Sequence, residues 1–358
     1  MLDWQWARLG DYWSDAKPAV DALAAGHLRD ALNTQPLMGP FSILLRAPFV
    51  AVAHSAGADA LLSYQVGVVP CLAAAIPLGV ALARWSPGAR RTRGLSILIV
   101  LIAVATPASG DAIRTGHPEE VLGAAVSVGA VVLAARGRTV GATVALGLAL
   151  ATKQWAVLAL PPVLLATHPG SRWRVGAGAS AIALGLTLPQ VIANSEGFTN
   201  VSRQAATSPP GTRVWSWWYL AGDELPGWLA QATHPAIVLS ALPLAVLVYR
   251  RGGEALQCAL SLLVVLFLIR CIFDPVNNYY YHVPLVLALL AWETSMHNRL
   301  LPYVTLYTVA SLIVTHSYLS GRVSESAVNA FYVVWTGVLA VYMIRILYLL
   351  PRHRTTVS

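Results

Sequence analysis

Long apolar stretches alternate with short polar ones along the chain beyond residue 59. Such stretches are typical of helices that span a membrane, which need about 17–25 mostly apolar residues. The pattern predicts eleven of them, at residues 60–83, 95–109, 120–135, 139–152, 154–167, 175–193, 235–249, 255–273, 279–293, 300–317 and 328–350. Residues 139–167 are divided into two helices because Pro161 and Pro162 interrupt the run and Lys153 needs a polar environment.

Residues 1–59 are less apolar and mix Trp and Tyr with Asp. Their one apolar run, 41–53, is too short to span a membrane and contains Arg46, so it predicts an interfacial or re-entrant helix. We expect residues 1–59 to form an extracytoplasmic loop with interfacial helices. Residues 60–350 should form the membrane bundle, with an outer loop at 194–234, and 351–358 a cytoplasmic tail.

Composition supports this class, and the charges orient the chain. Of 358 residues, 56% are hydrophobic and 11% are charged, and the mean hydropathy is +0.61, whereas soluble domains carry about 25% charged residues. The connections that would lie on one side of the membrane are rich in Arg, and the other side holds fourteen of the sixteen acids. The positive-inside rule makes the Arg-rich side cytoplasmic. We therefore predict an all-α polytopic protein of the cell membrane, and the net charge of +8 does not indicate nucleic-acid binding.

This orientation leaves residues 1–59 outside the cell with nothing upstream to anchor them. Either the chain translocates a short N-terminal segment, or a first helix is missing from this sequence. We favour a missing helix. The three cysteines, at positions 71, 258 and 271, lie in apolar runs and indicate neither a disulfide framework nor a Cys-based metal site.

Polar islands on the outer side are the candidate site. The clearest single residue is Lys153, one of only two lysines, because an ammonium in mid-span costs about 2.5–3.5 kcal/mol and needs an anion. That anion is either a carboxylate of Glu119 or Glu120 or a lipid phosphate, and the two do not exclude each other. The remaining polar candidates in these islands are Asp15, Arg114, His117, Asn277, Tyr281 and His282.

The outer loop adds aromatic side chains, among them Trp215, Trp217 and Trp218. Such residues anchor a chain at the membrane interface, and they also stack on sugar rings; the sequence leaves both roles open. The chain has no zinc-ligand spacing, no Walker loop and no Gly-x-Ser-x-Gly elbow. A carboxylate base, a phosphate-binding cation and a sugar-stacking surface together suit glycosyl transfer from a sugar phosphate.

The polar islands resemble, in order and spacing, the polytopic glycosyltransferases of the C-type (GT-C) fold. They are most similar to the polyprenyl-phosphate-mannose-dependent mannosyltransferases of actinobacteria, glycosyltransferase family 87. The resemblance rests on Asp15 followed by an Ala-rich helix and Gly26, on Gly116-His117-Pro118-Glu119-Glu120, on Gly147 through Lys153 to Pro161, and on the Tyr-rich run ending at His282.

The resemblance implies a GT-C-like bundle of about 10–11 transmembrane helices, a lipid-linked sugar donor, no bound nucleotide, and Asp15 and His282 as catalytic residues. The chain departs from the family in that only fourteen residues precede Asp15, where the family has its first helix. Asp11 also competes with Asp15, although the distance to Gly26 favours Asp15.

These observations predict an integral membrane glycosyltransferase whose active site faces the extracytoplasmic side. Lys153, His117 and Arg114 would hold the donor phosphate, with Glu119, Glu120, Asn277 and Tyr281 as supporting polar groups and Trp215, Trp217 and Trp218 against the acceptor. The partners are a polyprenyl-phosphate sugar, a lipid or glycan acceptor and membrane lipids. No cofactor is expected, and a role for a divalent cation remains open. The alternatives are a transporter or lipid flippase, and a non-catalytic remnant without its first helix.

Overall fold

A computed structural model shows that the chain is helical. It describes residues 12–86, 92–206, 211–222, 224–252, 254–296 and 301–349, so Asp11 and the predicted tail lie outside the described residues. The helices are α1 (Lys17–Ala24), α2 (Leu28–Asn33), α3 (Pro40–Ser55), α4 (Ala60–Ala73), α5 (Ala75–Trp85), α6 (Arg93–Val104), α7 (Pro107–Thr115), α8 (Glu119–Ala135), α9 (Thr139–Leu150), α10 (Leu160–Ala166), α11 (Arg172–Ala193), α12 (Ser195–Ala206), α13 (Gly227–Arg251), α14 (Ala255–Phe273), α15 (Val283–Ser295), α16 (Tyr303–Leu312) and α17 (Glu325–Leu349). Short 3₁₀ or π turns occur at Tyr12–Ala16, Gln154–Ala159, Pro169–Ser171, Trp217–Ala221, Tyr279–His282 and Ile313–Leu319. The described ranges contain no strand, only an isolated bridge between Gly211 and Glu224, so the all-α class is confirmed.

Six helical stretches in the described ranges are long and apolar enough to cross a membrane. They are Ala60–Trp85, Arg93–Thr115, Pro169–Ala193, Gly227–Arg251, Ala255–Phe273 and Glu325–Tyr348. Each contains, at least in large part, one of the predicted spans. The other five predicted spans also contain helices, but these are shorter, from the 17 residues of α8 to the 7 of α10. The number of true crossings therefore stays a prediction.

The chain breaks at Lys153, as the sequence predicts. Helix α9 ends at Leu150, residue 153 is extended, and a 3₁₀ turn leads from Gln154 into α10. Pro161 and Pro162 lie in the first turn of α10, where a missing backbone N–H costs little because it has no intrahelical partner. The break returns the chain toward the end of α8 that carries Glu119.

Three helices form the centre of the bundle. Helices α8, α14 and α15 are buried around nearly their whole circumference. The outer helices α11, α13 and α17 expose large apolar side chains, such as Ile192, Leu239 and Val341. Apolar exposure on this scale is unusual for a protein surface in water, and it is the expected surface of a helix in contact with lipid.

Helix α3 corresponds to the predicted interfacial or re-entrant segment. It has 16 residues, packs between α1 and α4, and buries Ile43, Arg46 and Val50. Its start is tied to the break before Lys153, because the backbone N–H of Gly39 donates to the carbonyl of Thr152 at 3.0 Å. Segments more than 100 residues apart are thus joined at one end of the bundle.

Candidate functional site

A buried charge cluster lies at the start of α8. The Lys153 ammonium is 2.8 Å from Oε1 of Glu119 and 3.8 Å from Oε1 of Glu120. Oε2 of Glu120 is 3.7 Å from Arg270, and Nδ1 of His117 is 3.0 Å from Oε1 of Glu119. Both carboxylates are fully buried, so they compensate the two cations where solvent cannot.

Lys153 is therefore paired with glutamate carboxylates, the first of the two kinds of anion that the sequence left open. Burial by itself would lower the pKa of Lys153, but Glu119 and Glu120 raise it above its ordinary value, so the amine stays protonated. The contact with Glu119 uses one of the three N–H donors of the ammonium. A lipid phosphate could still accept another hydrogen bond, but the charge of Lys153 is already offset.

Arg270 is a member of this cluster that the sequence reading missed. It lies near the end of α14, 6% exposed, and its guanidinium is 4.2 Å from the ring centroid of Tyr281 and 5.0 Å from that of Trp155. It also donates to the carbonyl of Tyr281 at 3.3 Å. The available signal was a lone charge inside a predicted span, which in a membrane helix indicates a functional or paired position.

Asp15 lies at the same end of the bundle as Lys153. Its half-buried carboxylate accepts a hydrogen bond from the backbone N–H of Leu37 at 2.6 Å. The carbonyl of Leu37 accepts from the side-chain amide of Gln154 at 3.1 Å. A single residue therefore links the turn that carries Asp15 to the residue that follows Lys153.

The pKa of Asp15 is raised above its ordinary value. Burial is the largest cause, because it disfavours the charged form, while the Leu37 N–H and the nearby Lys153 act in the opposite direction. A carboxylate with a raised pKa is a stronger base than an exposed one, which suits proton transfer.

Gly116 allows the π turn that carries Asp15 to pack closely against the turn between α7 and α8. This residue ends α7 in the left-handed conformation, with φ of +95°, and Pro118 then precedes the first residue of α8. A Cβ atom on Gly116 would lie only 2.7 Å from Cβ of Tyr12, in the same π turn as Asp15. Glycine is therefore needed both for the backbone conformation and for this close approach.

His282 belongs to a second hydrogen-bonded network. Its Nδ1 is 2.9 Å from the Tyr279 carbonyl, and its Nε2 is 3.1 Å from the Tyr332 hydroxyl. The amide of Asn277 donates to the same hydroxyl at 2.9 Å, and His282 is 1% exposed. Both ring nitrogens of His282 thus have partners inside the protein.

The tyrosine run connects the two networks. Tyr280 stacks on His117 with ring centroids 4.5 Å apart, while Tyr281 packs on Arg270. Arg114 has a different partner: its guanidinium is 2.5 Å from Asp111, one turn away on α7. The structure therefore brings His117, Glu119 and Glu120 to Lys153, and pairs Arg114 elsewhere.

The three tryptophans of the outer loop pack against α14, α17 and the turn after α16. Trp217 donates its indole N–H to Thr336, and Trp218 donates its own to the Phe273 carbonyl. Trp215 packs edge-on against His316 with centroids 4.6 Å apart. Trp217 and Trp218 are thus used in internal contacts, and only Trp215 has an indole nitrogen that is buried without a partner.

In the part of the chain that the structure describes, no three His, Cys, Asp or Glu side chains are placed to hold a metal ion. Comparison of the chain with known protein families, with curated proteins and with solved structures found no match. The candidate function therefore rests on the residues and their geometry.

Proposed function

We propose that the chain is an integral membrane glycosyltransferase. It would move a sugar from a polyprenyl phosphate to a lipid or glycan hydroxyl at the extracytoplasmic side, and the family resemblance suggests mannose. The observation that carries the proposal is the position of Asp15. A half-buried carboxylate with a raised pKa stands near the charge cluster, in which Glu119 and Glu120 pair with Lys153 and Arg270. Both lie at the end of the bundle where the sequence places the outer leaflet.

The chemistry assigned to Asp15 is general-base catalysis. Its free carboxylate oxygen accepts the proton of the acceptor hydroxyl while the hydroxyl oxygen forms a bond to the anomeric carbon. The bond between that carbon and the phosphate oxygen breaks, and the phosphate leaves with the electron pair. The configuration at the anomeric carbon is inverted because the acceptor attacks from the opposite face.

The charge cluster supports this reaction in two ways: it fixes the position of the Lys153 ammonium, and the positive charge of that ammonium acts on nearby groups. Glu119 fixes the ammonium near Asp15, and the positive charge of Lys153 counters the rise in the pKa of Asp15 that burial causes. A further N–H of Lys153 can donate to the leaving phosphate. Preorganised donors of this kind stabilise charge as it develops on a leaving group.

The test is transfer of radiolabelled sugar from a polyprenyl-phosphate donor in membranes that contain each variant. Asp15→Asn keeps the shape of the side chain but removes the base, and we expect the rate to fall by about 10²- to 10⁴-fold. Asp30→Asn is the matched control, since Asp30 is exposed on α2 and should leave the rate unchanged. Equal rates in wild type and Asp15→Asn would remove Asp15 from this role.

A further inference from the structure

Among the residues that the structure describes, Arg46 is a buried cation without an anion. It lies in the middle of α3 and is 0% exposed. Its one hydrogen bond to a described residue runs from Nη1 to the sulfur of Met38 at 3.9 Å. Nε and Nη2 have no hydrogen-bond partner, and no described carboxylate lies within 4.0 Å of the guanidinium.

The other cations of this region, the mostly buried Lys153 and the buried Arg270, differ from Arg46. Lys153 and Arg270 face Glu119 and Glu120, and Arg270 also donates to a backbone carbonyl. A buried charge is costly unless it is paired and hydrogen-bonded. Within the described ranges, carboxylates thus compensate the cations next to α8, and none compensates the cation on α3.

Two tyrosine rings surround Arg46. Its guanidinium carbon is 5.0 Å from the ring centroid of Tyr12 and 5.6 Å from that of Tyr64. Gly67 faces the same group, and a Cβ there would lie 3.9 Å from Nε of Arg46. Ring faces attract a cation, but they accept none of its in-plane N–H bonds as an oxyanion would.

The two unpartnered nitrogens indicate what kind of ligand Arg46 can bind. Nε and Nη2 form one edge of the planar guanidinium, which matches two oxygens of a phosphate or carboxylate in a bidentate contact. The position is also informative. Met38 contacts Arg46 and the preceding residue, Leu37, donates to Asp15, so the uncompensated cation and the candidate base flank one short loop.

We propose that Arg46 binds the phosphate of the lipid-linked substrate, and that the Tyr12 ring covers the guanidinium when no substrate is bound. The inference rests on the proposed function, since that function supplies a phosphate beside Asp15. Tyr12 belongs to the same π turn as Asp15. Displacement of the Tyr12 ring by phosphate would therefore couple donor binding to the position of the base.

The test measures binding, without transfer, by native mass spectrometry of the full chain in detergent with farnesyl phosphate as the probe. Arg46→Gln should weaken binding by on the order of tenfold or more, and Arg46→Lys should fall between, since an ammonium cannot form the bidentate contact. Arg29→Gln, on the exposed face of α2, is the matched control and should bind as wild type does. Tyr12→Ala should bind more tightly, because the ring no longer competes with the phosphate.

Two further ligands identify what the site recognises. Farnesol, which lacks the phosphate, should bind equally to wild type and to Arg46→Gln, and inorganic phosphate should bind far more weakly than farnesyl phosphate. Inorganic phosphate that binds as tightly, with the same dependence on Arg46, would overturn the assignment to a lipid-linked substrate.

Unchanged affinity of a folded Arg46→Gln variant for farnesyl phosphate would overturn the proposal. If that variant does not fold, unchanged affinity in both Arg46→Lys and Tyr12→Ala would overturn it. Asp15→Asn should still bind the probe. Absence of transfer by the wild-type chain, together with lost binding of farnesyl phosphate in Arg46→Gln, would contradict the proposed function alone. Normal transfer by Asp15→Asn would contradict only the role of Asp15.

Discussion

At the scale of single residues, the charged side chains at the Lys153 end of the bundle differ in how each charge is compensated. Lys153 and Arg270 meet two fully buried carboxylates, whereas the described polar and aromatic partners of Arg46 are two ring faces and a sulfur. Asp15 differs again, because it is half-buried and accepts one backbone N–H. The paired side chains, Lys153 and Arg270, therefore stabilise the fold. Arg46 and Asp15 retain hydrogen-bonding atoms that can contact a ligand.

The raised pKa of Asp15 predicts the pH dependence of transfer. A base must be deprotonated to act, so the rate is lost as pH falls through its pKa, and burial moves that pKa above the ordinary value for Asp. The acid limb of the initial-rate profile should therefore lie at a higher pH than the titration of an exposed Asp. Asp30→Asn should leave this limb in place, and a wild-type limb at or below the ordinary value would contradict the prediction.

At the scale of elements, three breaks in helices build the candidate site. Gly116 turns the chain from α7 into α8, the extended residue Lys153 divides α9 from α10, and the Tyr279–His282 turn precedes α15. Each break places polar side chains at the end of an otherwise apolar helix. Backbone groups freed by such breaks need partners in protein or water, which is why the breaks gather in one polar region.

Substitution of Gly116 tests whether the α7–α8 turn positions the segment with Asp15. Gly116→Ala should lose about 1–2 kcal/mol from the left-handed backbone, and its methyl group would also displace Tyr12, 2.7 Å away. We expect lower thermal stability in detergent together with a loss of transfer.

Gly137→Ala is the control for Gly116→Ala. Gly137 has φ of +70°, but a Cβ there meets no atom within 4 Å. It should therefore show the backbone cost alone and keep its transfer activity. If the two variants were equally active, the contact between Gly116 and Tyr12 would not position Asp15.

At the scale of the whole molecule, the bundle has a polar end and a basic end. The segments with Asp15, Glu119 and Lys153 meet at one end. Helix α8 carries the chain away from it for 17 residues, or about 25 Å, to Arg136 and Arg138. The positive-inside rule predicts that the arginine end is cytoplasmic and that the candidate site faces outward.

This orientation predicts the labelling of single cysteines by a membrane-impermeant maleimide. The native cysteines are buried, so cysteines at two exposed positions, Ala25→Cys and Arg138→Cys, report on the two ends. Ala25→Cys should react in intact cells, and Arg138→Cys only after permeabilisation. The reverse pattern would place the candidate site in the cytoplasm.

The sequence by itself determined the helical class, the break at Lys153 and the demand of Lys153 for an anion. These features are local: helix bonds form within a segment, and a charge in an apolar run needs compensation wherever the run packs. Only the tertiary structure decided that the anion is Glu119, that Arg270 joins it, and that His282 belongs to another network. It also decided that Nε and Nη2 of the buried Arg46 have no hydrogen-bond partner among the described residues. The physical reason is that lipid-facing and protein-facing helix surfaces are both apolar, so the pattern along the chain does not specify which distant helices meet.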